Sequence, residues 1–268
     1  MSESKVVVVT GVSSGIGRIT AEKFAKQGWR VFGTVRNLTK TQPFAGVELI
    51  EMDVRDEDSV KRGIQSVIDK TKRIDVLVNN AGGSVLGAME ETSIAEARAL
   101  FDTNFFGVLS TTKAVLPLMR NQRSGRIVNV SSVLGFLPAP YMALYSASKH
   151  AVEGLSESLD HEVRQFGIRV ALVEPSFTKT NFELNTPRTV NKILDYNKEI
   201  GVVTEAIRIN NQKAPEPEEV AATILKAALG TWKMRYTPKG EASLLIKLRR
   251  FMPFGPVDKG IRKTFGLS

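Results

Sequence analysis

The chain has 268 residues, 42% hydrophobic and 24% charged, which is enough to bury one large core as a single α/β domain. No cysteine is present, so disulfides, thiolate catalysis and cysteine-ligated metal are excluded; two histidines, His150 and His161, are too few for a zinc or iron site, and no metal is expected. The formal net charge is +9, of which +7 lies between Thr231 and Ser268; basic residues on a helix more often form a solvated face than a nucleic-acid surface, so no nucleic-acid partner is expected.

In chain order, Met1-Ser-Glu-Ser-Lys5 runs into Val6-Val-Val-Val9, too short an apolar stretch for a signal h-region or a membrane span, and a soluble cytoplasmic protein is expected. Strands are predicted over 5–10, 29–35, 47–52, 75–79, 126–131 and 169–173. Helices are predicted over 17–27, 59–71, 97–122 and 147–165, and over Glu218–Leu229 after the junction Ala214-Pro-Glu-Pro-Glu218. The strands read as continuous Val/Ile/Leu runs, as a sheet covered by helices on both faces requires. The expected fold is therefore a doubly wound, Rossmann-type parallel α/β sheet, with 1–268 as one domain. Residues 181–215 show weak helical periodicity and are too long for a plain connection, so they are read as a helical substrate loop. Residues 231–268 are read as a basic, amphipathic, helical C-terminal extension. In it Leu244, Leu245, Leu248, Phe251 and Met252 fall within about 120° of one another on a helical wheel, opposite Lys247 and Arg250, with Ile246 off the stripe. That stripe is expected to cover the pocket mouth, with a dimer interface or peripheral contact with an anionic membrane as alternatives.

Chemistry concentrates in two places. Tyr145 and Lys149 of Tyr145-Ser-Ala-Ser-Lys149 stand at i and i+4 on one helix face, and Tyr145 alone among four tyrosines has lysine there. Ser132, thirteen residues upstream at the end of a buried strand, can meet them from the sheet side. A phenol, an ammonium and a hydroxyl so placed make an acid/base site. The second place is Thr10-Gly11-Val-Ser13-Ser14-Gly15-Ile16-Gly17, between the first strand and the first helix. Its glycines allow a tight turn and close backbone approach, so helix N–H groups can hold a pyrophosphate, although the spacing departs from GxGxxG. The next strand ends Val35-Arg36-Asn37. Val35 stands where an acid would accept from the ribose hydroxyls of NAD, and the Arg36 guanidinium suits a 2′-phosphate. Asp53 and Val54 end the third strand, where an adenine edge would lie, and the small residues of Asn80-Ala81-Gly82 leave room for a flat ligand.

With these motifs in order, the chain resembles the short-chain dehydrogenase/reductase family across at least residues 5–180. The matches are Thr10 to Gly17, Asn79-Asn80-Ala81-Gly82, Asn104, Ser132, Tyr145-Ser-Ala-Ser-Lys149 and Pro175-Ser176-Phe177-Thr178-Lys179-Thr180; Ser176 stands where the family usually has glycine. The resemblance implies hydride exchange between NADP(H) and a carbonyl or alcohol, with Tyr145 as acid/base and Ser132 steadying the oxyanion. Lys149 would lower the phenol's pKa and bond the nicotinamide ribose, and Asn104 would anchor a relay water. Pro175, Phe177, Thr178 and Thr180 would contact the cofactor, Thr180 through the carboxamide. Family members commonly pair through two long helices, so a homodimer or homotetramer is implied. The long middle loop and the basic, apolar C-terminus resemble the hydroxysteroid and retinol dehydrogenase branch.

A free tyrosine has a pKa of about 10, and bringing it near 7 requires about 4 kcal/mol. One nearby cation supplies about 1 to 3 units, so Lys149 is expected to need the positive charge of an oxidised nicotinamide beside it. Val85, Leu86, Leu134, Phe136, Leu137, Met142, Phe177 and Phe182 border the motif positions and are read as an apolar lining for a bulky ketone, aldehyde or alcohol, steroid- or retinoid-like. One alternative is a 3-oxoacyl thioester reductase, which the long loop disfavours. The other is a non-catalytic NADP-sensing protein, which would not need Ser132, Tyr145 and Lys149 together.

Overall fold

The computed structural model describes residues 4–180 and 186–267, and at 241 and 247–250 the backbone alone. Strands β1 (Val6–Thr10), β2 (Arg30–Val35), β3 (Val47–Glu51), β4 (Val76–Asn79), β5 (Gly125–Val130), β6 (Ile168–Val173) and β7 (Arg235–Tyr236) form one sheet. Its order is β3-β2-β1-β4-β5-β6-β7 and every pairing is parallel. The six predicted strands are present within one residue at each end; β7 has only two residues and carries no periodicity to read.

The four valines of β1 explain the layering, because successive side chains point to opposite faces and all four are at most 1% exposed. Val7 and Val9 join the core of α1 (Gly15–Lys26) and α7 (Glu218–Leu229) through Phe24 and Ile224. Val6 and Val8 join the core of α2 (Glu57–Thr71) and α4 (Gly107–Gln122) through Ile64 and Met119. The α2 start lies ahead of the expected Ser59 because the Asp56 carboxylate caps it, accepting from the Asp58 and Ser59 N–H groups at 2.9 and 3.1 Å. The sheet order reverses between β1 and β4, and a crevice for a ligand opens at such a point beyond the strand ends.

The predicted helix over 97–122 is two helices, α3 (Ile94–Phe101) and α4, joined by a π-helical turn over Asp102–Phe106. The helix expected from 147 begins earlier, as α5 (Ala143–Val163), which puts Tyr145 in its first turn. Within 181–215 the described part is an irregular stretch followed by α6 (Asn197–Lys213), which buries Ile200, Val203 and Ile207. The extension holds α8 (Glu241–Phe251) and α9 (Phe254–Thr264). Of its expected stripe, Leu245 and Met252 are half-buried and turned inward, but Leu244 and Phe251 are not. Ala242 is 2% exposed and Leu245 and Ile246 are half-buried, whereas Leu244 and Phe251 are 55% and 80% exposed. The buried edge of α8 runs through Ala242, Leu245 and Ile246, so Leu244 and Phe251 fall on the far side; the Leu248 side chain lies outside the described residues. Among the described residues no helix is long and apolar enough to cross a membrane.

Candidate active site

A cavity of about 1120 Å³ lies across the C-terminal ends of the central strands. Ligand pockets are typically about 300 to 1,000 Å³, so this one stands at the large end.

One half is built by the turn between β1 and α1. Gly11 and Gly15 sit at φ 72° and 57°, where a side chain is strained. A Cβ on Gly11 would lie 2.9 Å from the Ala81 Cα, and one on Gly17 would lie 2.3 Å from the Asn80 Nδ2. Asn80 stitches the turn to β4, donating to the Thr10 and Gly11 carbonyls at 2.9 and 3.1 Å, while the Thr10 hydroxyl accepts from the Asn80 and Ala81 N–H groups, each at 3.0 Å. Ser14 starts α1 without a side-chain cap, so among the described residues the first-turn N–H groups of α1 have no side-chain acceptor where Ser13, Ser14, Gly15, Ile16 and Gly17 line the cavity. A close-packed glycine cradle below an uncapped helix N-terminus fits the pyrophosphate of a dinucleotide.

At the far end of this half, Arg36 is exposed on the cavity rim beside buried Val35. Asp53 and Val54 also line it, as expected, but Arg55 grips the Asp53 carboxylate at 2.6 Å and its hydrogen bonds hold that carboxyl below the usual range. Arg55 lines the cavity too and was missed by the sequence reading; a second guanidinium two residues past Asp53 was the signal. Asn37 does not reach the cavity wall. Its side chain is spent on the turn over Leu38–Lys40, accepting from the Thr39 N–H and hydroxyl at 2.8 and 2.6 Å.

Ser132, Tyr145 and Lys149 meet on the cavity wall at 8%, 8% and 7% exposure. The Ser132 hydroxyl follows β5, accepts from the Leu134 N–H at 3.1 Å, reaches the Pro175 carbonyl at 3.5 Å and hydrogen-bonds the Tyr145 hydroxyl. Lys149 Nζ donates to the Val130 carbonyl at 2.9 Å and lies 5.7 Å from the centroid of the Tyr145 ring. Burial pushes the phenol up to about 12, against which only the Ser132 bond pulls, and burial pulls the lysine down to about 8. In the chain without its cofactor, burial thus outweighs the pull on the Tyr145 phenol.

Asn104 is 1% exposed and lies behind the cavity wall. The extra residue of the π turn brings its amide inward, where it accepts from the Gly83 N–H at 2.8 Å and donates to the Gly83 carbonyl and Ser148 hydroxyl at 2.9 and 3.0 Å. It braces the loop after Asn80-Ala81-Gly82 against α5. Pro175, Ser176, Phe177, Thr178 and Thr180 line the cavity beyond β6, with the Thr178 hydroxyl donating to the Ser176 carbonyl at 3.0 Å.

In the apolar half, Leu86, Leu134, Leu137, Met142 and Phe177 line the cavity as expected. Val85 does not, because it packs into the core with Leu100 and Tyr145. Phe136 closes the turn over Val133–Gly135 by donating its N–H to the Val133 carbonyl at 3.2 Å and stays off the wall. Phe182 lies outside the described residues. The sequence reading missed Ile207 of α6, Ile261 of α9 and Phe265, whose ring lies 6.5 Å from that of Phe177. The stretch before α6 is pinned by Glu91, which is 0% exposed and accepts from the Ile193 and Ala88 N–H groups at 2.9 and 3.2 Å. The Ile193 bond, with those of Ala88 and Thr189 and nearby Lys192, keeps its carboxyl below the usual range despite enclosure. Among the described residues no His, Cys, Asp or Glu group is arranged to hold a metal.

This site and fold define a nicotinamide-dependent oxidoreductase. Residues 5–191 match the short chain dehydrogenase family, and the chain belongs to it. It is 41% identical over 197 residues to a 3-ketodihydrosphingosine reductase of Bacteroides thetaiotaomicron, covering 74% of this chain and 72% of that one. It is 34% identical over 280 residues to retinol dehydrogenase 8 of Bos taurus, covering 94% and 86%. A short-chain dehydrogenase from Streptomyces avermitilis superposes over 100% of both chains with a TM-score of 0.84 at 33% identity. A Burkholderia phymatum member in complex with NAD superposes with a TM-score of 0.80 at 26% identity over 92% and 93% of the chains. A metagenomic member in complex with NADP gives 0.69 at 27% identity over 90% and 100%.

Proposed function

We propose that the protein is an NADP(H)-dependent oxidoreductase that interconverts a hydrophobic ketone or aldehyde and its alcohol. The observation that carries this is the meeting of Ser132, Tyr145 and Lys149 on the wall between the glycine cradle and the apolar half of one cavity. A bound dinucleotide supplies or takes the hydride. Tyr145 gives the proton to the substrate oxygen, and the Ser132 hydroxyl, held by the Leu134 N–H, steadies that oxygen. Lys149 holds the ribose edge of the cofactor, and its charge with that of the cofactor brings the buried phenol down from about 12. Arg36 holds the 2′-phosphate, and the first-turn N–H groups of α1 hold the pyrophosphate. Asn104 acts by fixing Gly83 and α5.

Three apolar groups, from 134–142, α6 and α9, support a bulky lipophilic substrate. A relative named for a sphingoid ketone supports the same class, as does one named for retinol. The assembly is a homodimer or homotetramer paired through the two long helices, α4 and α5. Steady-state NADPH and NADH oxidation against panels of long-chain ketones, retinoids, steroids and 3-oxoacyl thioesters tests the reading. Faster turnover of the thioesters would favour the carrier-linked alternative, and no turnover with any panel would reject it as a carbonyl reductase.

A further inference from the structure

Behind the site lies a buried cluster that no step above uses. Tyr145, Lys149, Glu153 and Glu157 are spaced four apart along α5 and share one stripe. Glu174 follows β6 directly, one residue before the Pro175 whose carbonyl receives the Ser132 hydroxyl and the Val133 N–H. Glu153 and Glu174 are 5% and 0% exposed. One guanidinium, Arg235 of β7, serves both, bonding Glu153 Oε2 and reaching Glu174 Oε1 at 2.8 Å, while its other nitrogen holds Glu157 at 2.9 Å. The remaining oxygens, Glu153 Oε1 and Glu174 Oε2, are buried and meet no donor among the described residues. Two ionised carboxylates so placed would leave two buried acceptors unpaired and a single guanidinium to offset three acidic groups, whereas one proton between the pair satisfies both open oxygens. Glu153 also presses on the turn that begins at Ser132, since a Cβ on Gly135 would lie 2.9 Å from its Oε1.

We propose that Glu153 and Glu174 share one proton and act as a positioning pair, locking the end of β6 and the turn after Ser132 against the helix that carries Tyr145 and Lys149. This rests on the catalytic reading of those three residues. The charged groups facing the pair are Arg235 from β7 and Glu157 and Lys149 from α5; the turn over Val133–Gly135 contributes none. Burial first, then the charge of Glu153, pushes Glu174 from its ordinary 4.5 up to about 8, with Arg235 opposing. The fold thus keeps a proton that the unfolded chain releases, and stability falls as pH rises between those values.

The test is difference infrared spectroscopy of the full chain, following the carbonyl stretch of a protonated carboxyl through a pH titration, beside thermal melts of wild type and Glu174→Gln from about pH 5 to about pH 9. A protonated-carboxyl band at neutral pH that vanishes near 8 is expected in wild type and absent in Glu174→Gln. The melting temperature of the variant relative to wild type should climb across the same window, because glutamine donates to Glu153 and cannot titrate. In turnover, Glu174→Gln should stay within about threefold of wild type and Glu174→Ala should lose about tenfold or more, since alanine leaves Glu153 without its donor. No such band in wild type, or a melting difference flat with pH, overturns the proposal. Neither readout needs turnover, so a failure of the catalytic reading would show separately.

Discussion

The Lys149 ammonium is bonded to the Val130 carbonyl at 2.9 Å, not to the phenol it was expected to acidify. It thereby ties the first turns of α5 to the end of β5 and stands where an anionic ligand in the glycine half would meet it. Burial draws its pKa from the ordinary 10.5 to about 8, with Glu153 opposing. Between those values the fold has released a proton that the unfolded chain holds, so this group makes stability rise with pH there. NADPH affinity, read by fluorescence titration, should weaken as pH climbs past about 8 in wild type. The Lys149→Met variant should bind more weakly at neutral pH and show no such step. A step of equal size in both would place the titration elsewhere.

Arg36 sets the cofactor preference in this account. Loss of a charge-assisted bond to a phosphate, worth about 1.5 to 3 kcal/mol, should raise the KM for NADPH about 10- to 100-fold in Arg36→Ala and leave that for NADH nearly unchanged. Equal losses with both cofactors would show that Arg36 does not touch the 2′-phosphate and would direct attention to Arg55.

The stretch before α6 depends on Glu91. Glu91→Ala leaves the Ile193 and Ala88 N–H groups without their buried acceptor. Limited proteolysis should then cut between 186 and 196 faster than in wild type, the KM for bulky substrates should rise, and NADPH affinity should hold. A weakened NADPH affinity would mean that the loop supports the whole cavity.

Phe265, 5% exposed beside Phe177, closes the apolar half from the C-terminal side. Phe265→Ala should raise KM for long or polycyclic substrates more than for short ketones, with kcat for the short ones retained. A uniform loss across substrate sizes would assign it to packing alone.

Much of this was readable in the residues. Continuous apolar strands, the glycine turn and the four-residue step from Tyr145 to Lys149 are local signals, and each lies where expected. What stayed hidden was set by tertiary contact. Helix α6 buries only Ile200, Val203 and Ile207 among its residues, and α9 contains Gly255, Pro256 and Gly260, so the helical character of both regions was legible but the bounds of neither helix were. The π turn that turns Asn104 inward has no sequence signature. Arg235 meets Glu174 and Glu153 from 61 and 82 residues away, a pairing only the sheet order creates. The desolvation of Tyr145 was equally unreadable, because it depends on what encloses the phenol, and that is decided by neighbours such as Val85 and Leu100.

The central claim is that Tyr145 is the proton donor in NADPH-driven carbonyl reduction, and its most direct test is NADPH oxidation by wild type and Tyr145→Phe against the best ketone of the panels, with NADPH affinity titrated in parallel. Phenylalanine should lower kcat by about 100-fold or more while NADPH affinity stays close to wild type. A variant that keeps more than about a tenth of kcat would contradict it, since that is less than the smallest contribution expected of a general acid.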